Sequence, residues 1–433
     1  MNQMEPSGAY PVSTAARCFL GLRQSRHDQS LSGTIISTKG LGLSAQISVI
    51  GTARMELPVH LSDLSPWNPT DDTGRGTVGD LPAFAAEYAE WQAGLVGHLL
   101  DNSHLDPDHV LAIGVDDPGI WHEYPQGQKA ATLITDAFRL AEATGLSVID
   151  AFPIRDLAQG GRGGPLHSLP LLMLLSDKIN TDGASPWFVL EMGRKIQLHW
   201  FSSAQAADRP HCSFQVVQPG MELLDSLVGE LTSGTESFDT GGRWAVQGRR
   251  IDSLVDEWSK LPVFQDSTSW GSTENVVEAF LSVLSKGSHA RQPLQDVLCS
   301  ATHLVVEGIC QAIQRQSGNS QYDAAPEKTI GIMIGRGKQN GMLIRELRER
   351  CPGVHWRQPA DLGLDDDALG PSQIAILAML HVDHVPANLP DITGAEMPRI
   401  LGRLTPGTPR HWHRLLTEIA ANRPQMMTLR YAI

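Results

Sequence analysis

Cysteine, positive charge and long apolar runs are all in short supply. Five cysteines, Cys18, Cys212, Cys299, Cys310 and Cys351, are spread over 433 residues without a Cys-x-x-Cys pair. An odd, scattered set argues against a disulfide framework or a cysteine zinc site, and reads as reduced thiols used as small core side chains. Lys and Arg total 34 against 48 Asp and Glu, a formal charge of −14. A chain this acidic is a poor match for a phosphate polyanion or an anionic bilayer, so neither a nucleic acid nor a membrane is expected as a partner. The most apolar stretch, residues 166–175, is interrupted by His167, Ser168 and Pro170 and is too short to cross a bilayer. Residues 1–16 have no basic start followed by an apolar run, and read as a flexible tail on a cytoplasmic protein rather than a signal peptide. No short-period repeat or low-complexity tract is visible.

Hydrophobic residues make up 41% of the chain, enough for a buried core, and the length suits two or three domains. Three short extended segments, at 18–22, 33–37 and 46–58, open it as a meander. Phe84, Tyr88, Trp91, Leu95 and Leu99 recur every three to four residues behind Pro82 and predict an amphipathic helix. A strand at 110–115, a helix over 133–141 closed by Gly145, and a strand at 146–152 complete the first third. The middle repeats the order: strands at 187–192, 196–201 and 212–217, then a helix at 221–231. Helices at 244–260, 273–286 and 294–315, a strand at 329–334, a helix at 342–350, a strand at 354–357 and a helix at 374–382 follow. Two successive β-β-β-α-β-α units predict a duplicated α/β architecture with a central cleft. The expected division is a first lobe over 17–155 completed by 371–433, and a second over 156–370.

Three blocks of local sequence carry a resemblance. Asp156-Leu-Ala-Gln-Gly160-Gly161-Arg-Gly163-Gly-Pro165-Leu166 resembles the D-x-A-x-G-G-x-G-A-P-L segment of the anhydro-N-acetylmuramic acid kinases and their levoglucosan kinase relatives. Trp121-His122-Glu123 resembles the end of that family's H-G-Q-T-x-W-H-E stretch. The segment from Asn388 through Pro390, Thr393, Gly394 and Ala395 resembles N-L-P-x-V-T-G-A. The resemblance implies the two-lobed actin/hexokinase-like fold. It also implies an ATP-dependent reaction in which water opens a 1,6-anhydro sugar while the freed 6-oxygen is phosphorylated. Asp156 would be the base that takes the proton from water, which requires hydrogen-bond reach. Gly160, Gly161, Gly163, Trp121, His122 and Glu123 would line the sugar side, the glycines letting backbone come close to a ring. Family members commonly form dimers, so a homodimer is a possible assembly. The plainer reading of Asp156 is a cap on the turn that follows it. As a surface or cleft carboxylate, it should tolerate Asn to within about 1 kcal/mol, unless it caps a buried turn.

The nucleotide half departs from the family pattern. Gln29 stands at the position of a metal-binding Asp in the first hairpin, and Val216 and Met221 replace the Asp and Asn of a second phosphate segment. A neutral amide is a poor oxygen ligand for magnesium. Asp225 is retained, and of the glycines in a third turn only Gly193 survives. Gly335, Gly337 and Asn340, after a predicted strand, resemble the family's adenosine loop and are the candidate cofactor contacts, although a G-x-G after a strand is often only a tight turn. Phosphoryl transfer depends on positioning and charge neutralisation. The expectation is therefore a pseudokinase, or a cleft reused for ATP-independent work on a small cyclic ligand, with no metal site. The alternatives are an active atypical anhydrosugar kinase, which alone would require ATP and magnesium, and a non-catalytic regulatory binding protein. Of the other candidates, Asp116-Asp117 is the second choice for chemistry. His381 and His384 are weak as a zinc pair for want of further ligands. Asp365 to Asp367 could hold a cation, but such a charge run is usually a solvated loop or the decoration of a helix start, and His411 reads as a packed helix start.

Overall fold

The computed structural model describes residues 16–25, 29–62, 79–124, 127, 129–179, 185–202, 212–262, 273–285, 289, 292–318 and 329–429. The chain forms two compact units, Met1–Lys178 with Leu364–Ile433, and Ile179–Gly363. Most of the expected tail at 1–16, and the loop expected at 65–80, lie outside the described residues.

In the first unit the elements run β1 (Arg17–Ser25), β2 (Ser30–Lys39), β3 (Gln46–Glu56), α1 (Val59–Ser62), α2 (Leu81–Asn102), β4 (Val110–Asp116), β5 (Ile120–Glu123), β6 (Lys129–Thr132), α3 (Ala137–Thr144), β7 (Val148–Asp150), α4 (Phe152–Leu157) and α5 (Ser168–Ile179). The second unit holds β8 (Trp187–Met192), β9 (Ile196–Phe201), β10 (Cys212–Val217), α6 (Met221–Leu231), α7 (Asp252–Ser259), α8 (Thr273–Leu284), α9 (Leu294–Ser317), β11 (Thr329–Ile334), α10 (Gly341–Arg350) and β12 (Val354–Arg357). The chain then returns to the first unit with α11 (Asp366–Val382), α12 (Pro390–Thr393), β13 (Arg403–Thr405) and α13 (Pro409–Leu429).

The two sheets share one topology. The first is ordered β13-β7-β4-β1-β2-β3 and the second β10-β9-β8-β11-β12. In each, an antiparallel three-strand meander is followed by two strands parallel to its first member: β4 pairs with β1 and β7 with β4, as β11 pairs with β8 and β12 with β11. The duplicated α/β fold of the actin/hexokinase-like sugar kinases is therefore present. The division differs from that read in the sequence: residues 156–178 belong to the first unit, so the Asp156 block lies there and not in the second. The return to that unit begins at residue 364 rather than 371.

Period-two alternation explains how the first sheet is covered. Leu20 and Leu22 of β1 and Leu31 and Ile35 of β2 pack with Phe84, Tyr88, Leu95 and Leu99 of α2 on one face. On the other, Gly21 and Gly114 are register partners, and α11 lies directly over them. A Cβ at Gly21 would stand 2.0 Å from the Pro371 carbonyl oxygen, and one at Gly114 would stand 2.6 Å from that of Ile374. Bare backbone at these two positions is what lets the helix approach. The first unit also contains a buried ion pair: Arg17 donates to both oxygens of Asp383 at 2.6 and 3.0 Å, and Gly42 N–H donates to the same carboxylate at 2.7 Å.

The second unit is centred on α9, whose Val297, Leu298, Leu304, Val305, Ile309 and Ile313 are buried among side chains of the sheet, α6, α7 and α10. Among the described residues α9 is the one helix long and apolar enough to cross a membrane, and 72% of that window is buried inside the fold. The single helix expected over 244–260 is instead a 3-10 turn at Ala245–Gln247 and then α7. Gly248 breaks it, its Cα passing so close to α9 that a Cβ would lie 2.0 Å from the Gln295 carbonyl oxygen.

Candidate functional site

Asp156 ends the short helix α4, entered through Ala151 at a left-handed φ of 59°. Its main-chain carbonyl accepts from Gly161 N–H at 3.0 Å, closing a turn in which Gly160 and Gly163 hold φ of 76° and 74°. These values favour glycine. The carboxylate folds back into the same turn. Oδ2 accepts from Gly163 N–H at 2.9 Å. A Cβ at Gly161 would lie 2.3 Å from that oxygen, so only glycine leaves it room. Oδ1 accepts from Asn388 Nδ2 at 2.9 Å. Asp156 is fully buried. The carboxylate thus caps its own glycine turn, as the plainer reading of the sequence has it, and is tied to a residue 232 positions away, so it is not the accessible group whose replacement would cost little.

The other two sequence blocks meet at this turn. A Cβ on Gly163 would come 2.9 Å from Cη2 of Trp121, whose indole lies against the glycine and is 37% exposed. Arg162 N–H donates to the Thr393 carbonyl at 3.0 Å, its guanidinium donates to that of Ile392 at 2.6 Å, and Glu396 N–H donates to the Gln159 carbonyl at 2.8 Å. Asn388 was not singled out as a site residue in the sequence. Its side chain is fixed at both ends, because Oδ1 accepts from Arg399 N–H at 2.5 Å while Nδ2 reaches Asp156. Its signal lay in membership of the third block.

Trp121 stands on the β5–β6 hairpin, which Asp117 staples in place. The two Asp117 oxygens accept from the N–H groups of Gly119 at 2.8 Å, of Ile134 at 3.1 Å and of Thr135 at 2.7 Å. Burial pushes the Asp117 carboxyl up, and these backbone donors pull it back. Asp116 pairs with Arg23 at 3.3 Å. Both carboxylates of this second-choice site are thus committed to structure. His122 makes an edge contact with Tyr124, ring centroids 4.6 Å apart, and Glu123 pairs with Lys129 at 3.7 Å. Alternation along β5 puts His122 on the face opposite Trp121. No hydrogen bond joins His122 or Glu123 to Asp156 among the described residues.

Gly335, Gly337 and Asn340 lie together in the second unit, and each has a packing reason to be there. Gly335 holds φ of 83°, and a Cβ on it would stand 2.8 Å from the Met192 carbonyl oxygen. A Cβ on Gly337 would meet Met192 Cβ at 2.6 Å and Met221 Sδ at 3.2 Å. Asn340 caps α10 by accepting from Leu343 N–H at 3.1 Å, and a Cβ on Gly242 would come 2.3 Å from its Oδ1. Asp225, on α6, is pushed up to about 6 by burial, against the pull of Arg336 and Arg194.

Magnesium takes oxygen ligands, charged ones foremost. The two positions that the resemblance would assign to its carboxylates carry Gln29 and Val216. Gln29 sits at a φ of 51° with its carbonyl taken by Leu57 N–H at 2.7 Å. Among the described residues no three His, Cys, Asp or Glu gather to hold an ion. Among the described residues these two positions offer no charged oxygen to the metal. His381 gives its Nδ1 to the Leu401 carbonyl at 2.6 Å, and Asp383 is locked to Arg17, so that motif is structural too. His411 is buried between Ser147 and the Val110 carbonyl, docking α13 on the first sheet.

Comparison with known proteins agrees with these blocks. A family profile for anhydro-N-acetylmuramic acid kinase matches residues 54–407. A protein of that name from Nitrosomonas europaea is 28% identical over 341 residues, 78% of this chain and 86% of its own. Another, from Cupriavidus metallidurans, is 26% identical over 400 residues, 90% of this chain and 98% of its own. Among solved structures, a ROK family glucokinase from Streptomyces griseus in complex with glucose and AMPPNP aligns over 83% of this chain and 98% of its own, at 9% identity and a TM-score of 0.36. With the profile covering most of the chain, the protein belongs to the anhydro-N-acetylmuramic acid kinase family.

Proposed function

We propose that the protein acts on a 1,6-anhydro sugar in the manner of its family, as a carbohydrate kinase. Water adds at the anomeric carbon and the bond from that carbon to O6 breaks. O6 takes the γ-phosphoryl group of a nucleoside triphosphate, and Asp156 accepts the proton of the water. The products are a sugar 6-phosphate with a free anomeric hydroxyl and a nucleoside diphosphate. The observation that carries this reading is the convergence of Trp121 and Asn388, from two other stretches of sequence, on the Asp156–Gly163 turn, Trp121 against Gly163 and Asn388 on the carboxylate. Trp121 offers an apolar face for a sugar ring to lie on. Asp156 offers a fixed acceptor, as general-base chemistry requires.

A second reading is favoured by one specific observation. Met221 and Met192 close on Gly337, and Gln29 and Val216 stand where carboxylates are expected, so the sugar side is better furnished than the phosphate side. On that reading the protein retains the ring but transfers phosphate slowly or not at all. Incubation with 1,6-anhydro-N-acetylmuramic acid or levoglucosan, ATP and magnesium, followed by phosphorus NMR, separates the two. A sugar 6-phosphate that requires enzyme and ATP supports the kinase. Calorimetric binding of the sugar without product supports the second reading. Neither binding nor product would sink both.

A further inference from the structure

We propose that Asn388 is a positioning residue for Asp156, fixing the direction in which its carboxylate meets the attacking water. The inference rests on the proposed role of Asp156 as the base. It starts from hydrogen-bond inventory. Asn388 Oδ1 is claimed by Arg399 N–H at 2.5 Å, so its amide cannot flip without setting an NH2 group against an N–H. Nδ2 must therefore face Asp156 Oδ1, and at 2.9 Å it holds that oxygen as an acceptor. Gly163 N–H holds the other oxygen at 2.9 Å. With one donor on each oxygen, rotation of the carboxylate is blocked. The Gly161 backbone packs against Oδ2, where a Cβ would lie 2.3 Å away, so the carboxylate is held on that side too. Asn388, Gly163 and Gly161 together fix the plane of the carboxylate and so the directions of its remaining lone pairs. Asn388 reacts with nothing; it acts through Asp156.

Asn388→Asp is the informative variant, because it keeps the shape and the acceptor for Arg399 N–H and replaces the Nδ2 group that donates to Asp156 at 2.9 Å and, more weakly, to the Met397 carbonyl at 3.3 Å. As a carboxylate, the new side chain repels Asp156; once protonated, it donates a hydrogen bond in place of the amide. Wild type, Asn388→Asp and Asp156→Asn are compared for turnover of 1,6-anhydro-N-acetylmuramic acid with ATP from pH 5 to 8. A misplaced catalytic group costs on the order of 10²-fold, so Asn388→Asp should lose about that much kcat at pH 8. Its KM should change less than about twofold, since Asn388 is buried at 2% exposure. The ratio of variant to wild-type kcat should climb as the pH falls, which a merely structural role would not produce. Asn388→Ser, too short to reach Asp156, should lose kcat with a ratio flat in pH, and serves if the first variant does not fold. An Asn388→Asp or Asn388→Ser protein as fast as wild type, beside an inactive Asp156→Asn, overturns the role of Asn388 alone. An inactive wild type, or Asp156→Asn as active as wild type, overturns the reading of Asp156 as base and the role of Asn388 with it.

Discussion

Replacing Asp156 by Asn is expected to destabilise the first unit well beyond a surface substitution. The side chain is fully buried and accepts from Gly163 N–H and from Asn388 Nδ2, both at 2.9 Å. An amide has one oxygen and one NH2 group. Whichever way it turns, one of the two donors faces another donor. An unpaired buried donor costs about 1–3 kcal/mol, and the surviving bond drops from charge-assisted to neutral, a loss of roughly 1 kcal/mol more. The sum is about 2–4 kcal/mol, set against the ~0.5 kcal/mol typical of an exposed site. Urea unfolding of wild type and variant at one pH, with slopes compared to confirm that the same transition is followed, reads this difference from the midpoints. A shift below about 0.5 kcal/mol would refute the account of the turn as a satisfied, buried hydrogen-bond network.

Two further outcomes follow from buried charges and from a buried imidazole. Arg17→Met strands Asp383, which is inaccessible and paired at 2.6 Å. It should cost about 3–5 kcal/mol in urea unfolding, and Arg17→Met with Asp383→Leu should recover most of that loss. Burial holds His199 down to about 3, against ~6.5 in an unfolded chain. Stability present above pH ~6.5 therefore falls as pH drops toward the folded value, at roughly 1.4 kcal/mol per unit for this one group. His199→Leu should flatten the fall in urea midpoints between pH 7 and 5, and an unchanged slope would contradict the assignment.

The parts of the fold that were legible in the sequence are those where periodicity and burial agree. Strands β8, β9 and β10 fall on their expected residues, because each is apolar, short and bounded by turn residues. α3 ends on Gly145, in the left-handed conformation that glycine favours there. α11 starts eight residues before the expected 374, because three aspartates and Pro371 look like a loop. Asp365 is in fact its cap, accepting from Asp367 N–H at 3.1 Å, and Pro371 lies inside the helix. The β5–β6 hairpin was not legible: β5 is four residues long and mostly exposed, without the alternation a half-buried strand shows. β13, with three residues, carries no period at all. At the candidate site, Asp156 and its glycines were visible because a turn needs those residue types. Asn388 was visible only as the first residue of the third block; its role was not, since it comes from a contact across 232 residues of sequence.

The most direct test of the sugar-side assignment is the rate of sugar 6-phosphate formation from 1,6-anhydro-N-acetylmuramic acid and ATP by wild type and by Asp156→Asn, the variant shown folded by circular dichroism. The account predicts product from wild type and at least about a 10²-fold slower rate from the variant, the scale on which a general base contributes. Product formed by Asp156→Asn at the wild-type rate would contradict it.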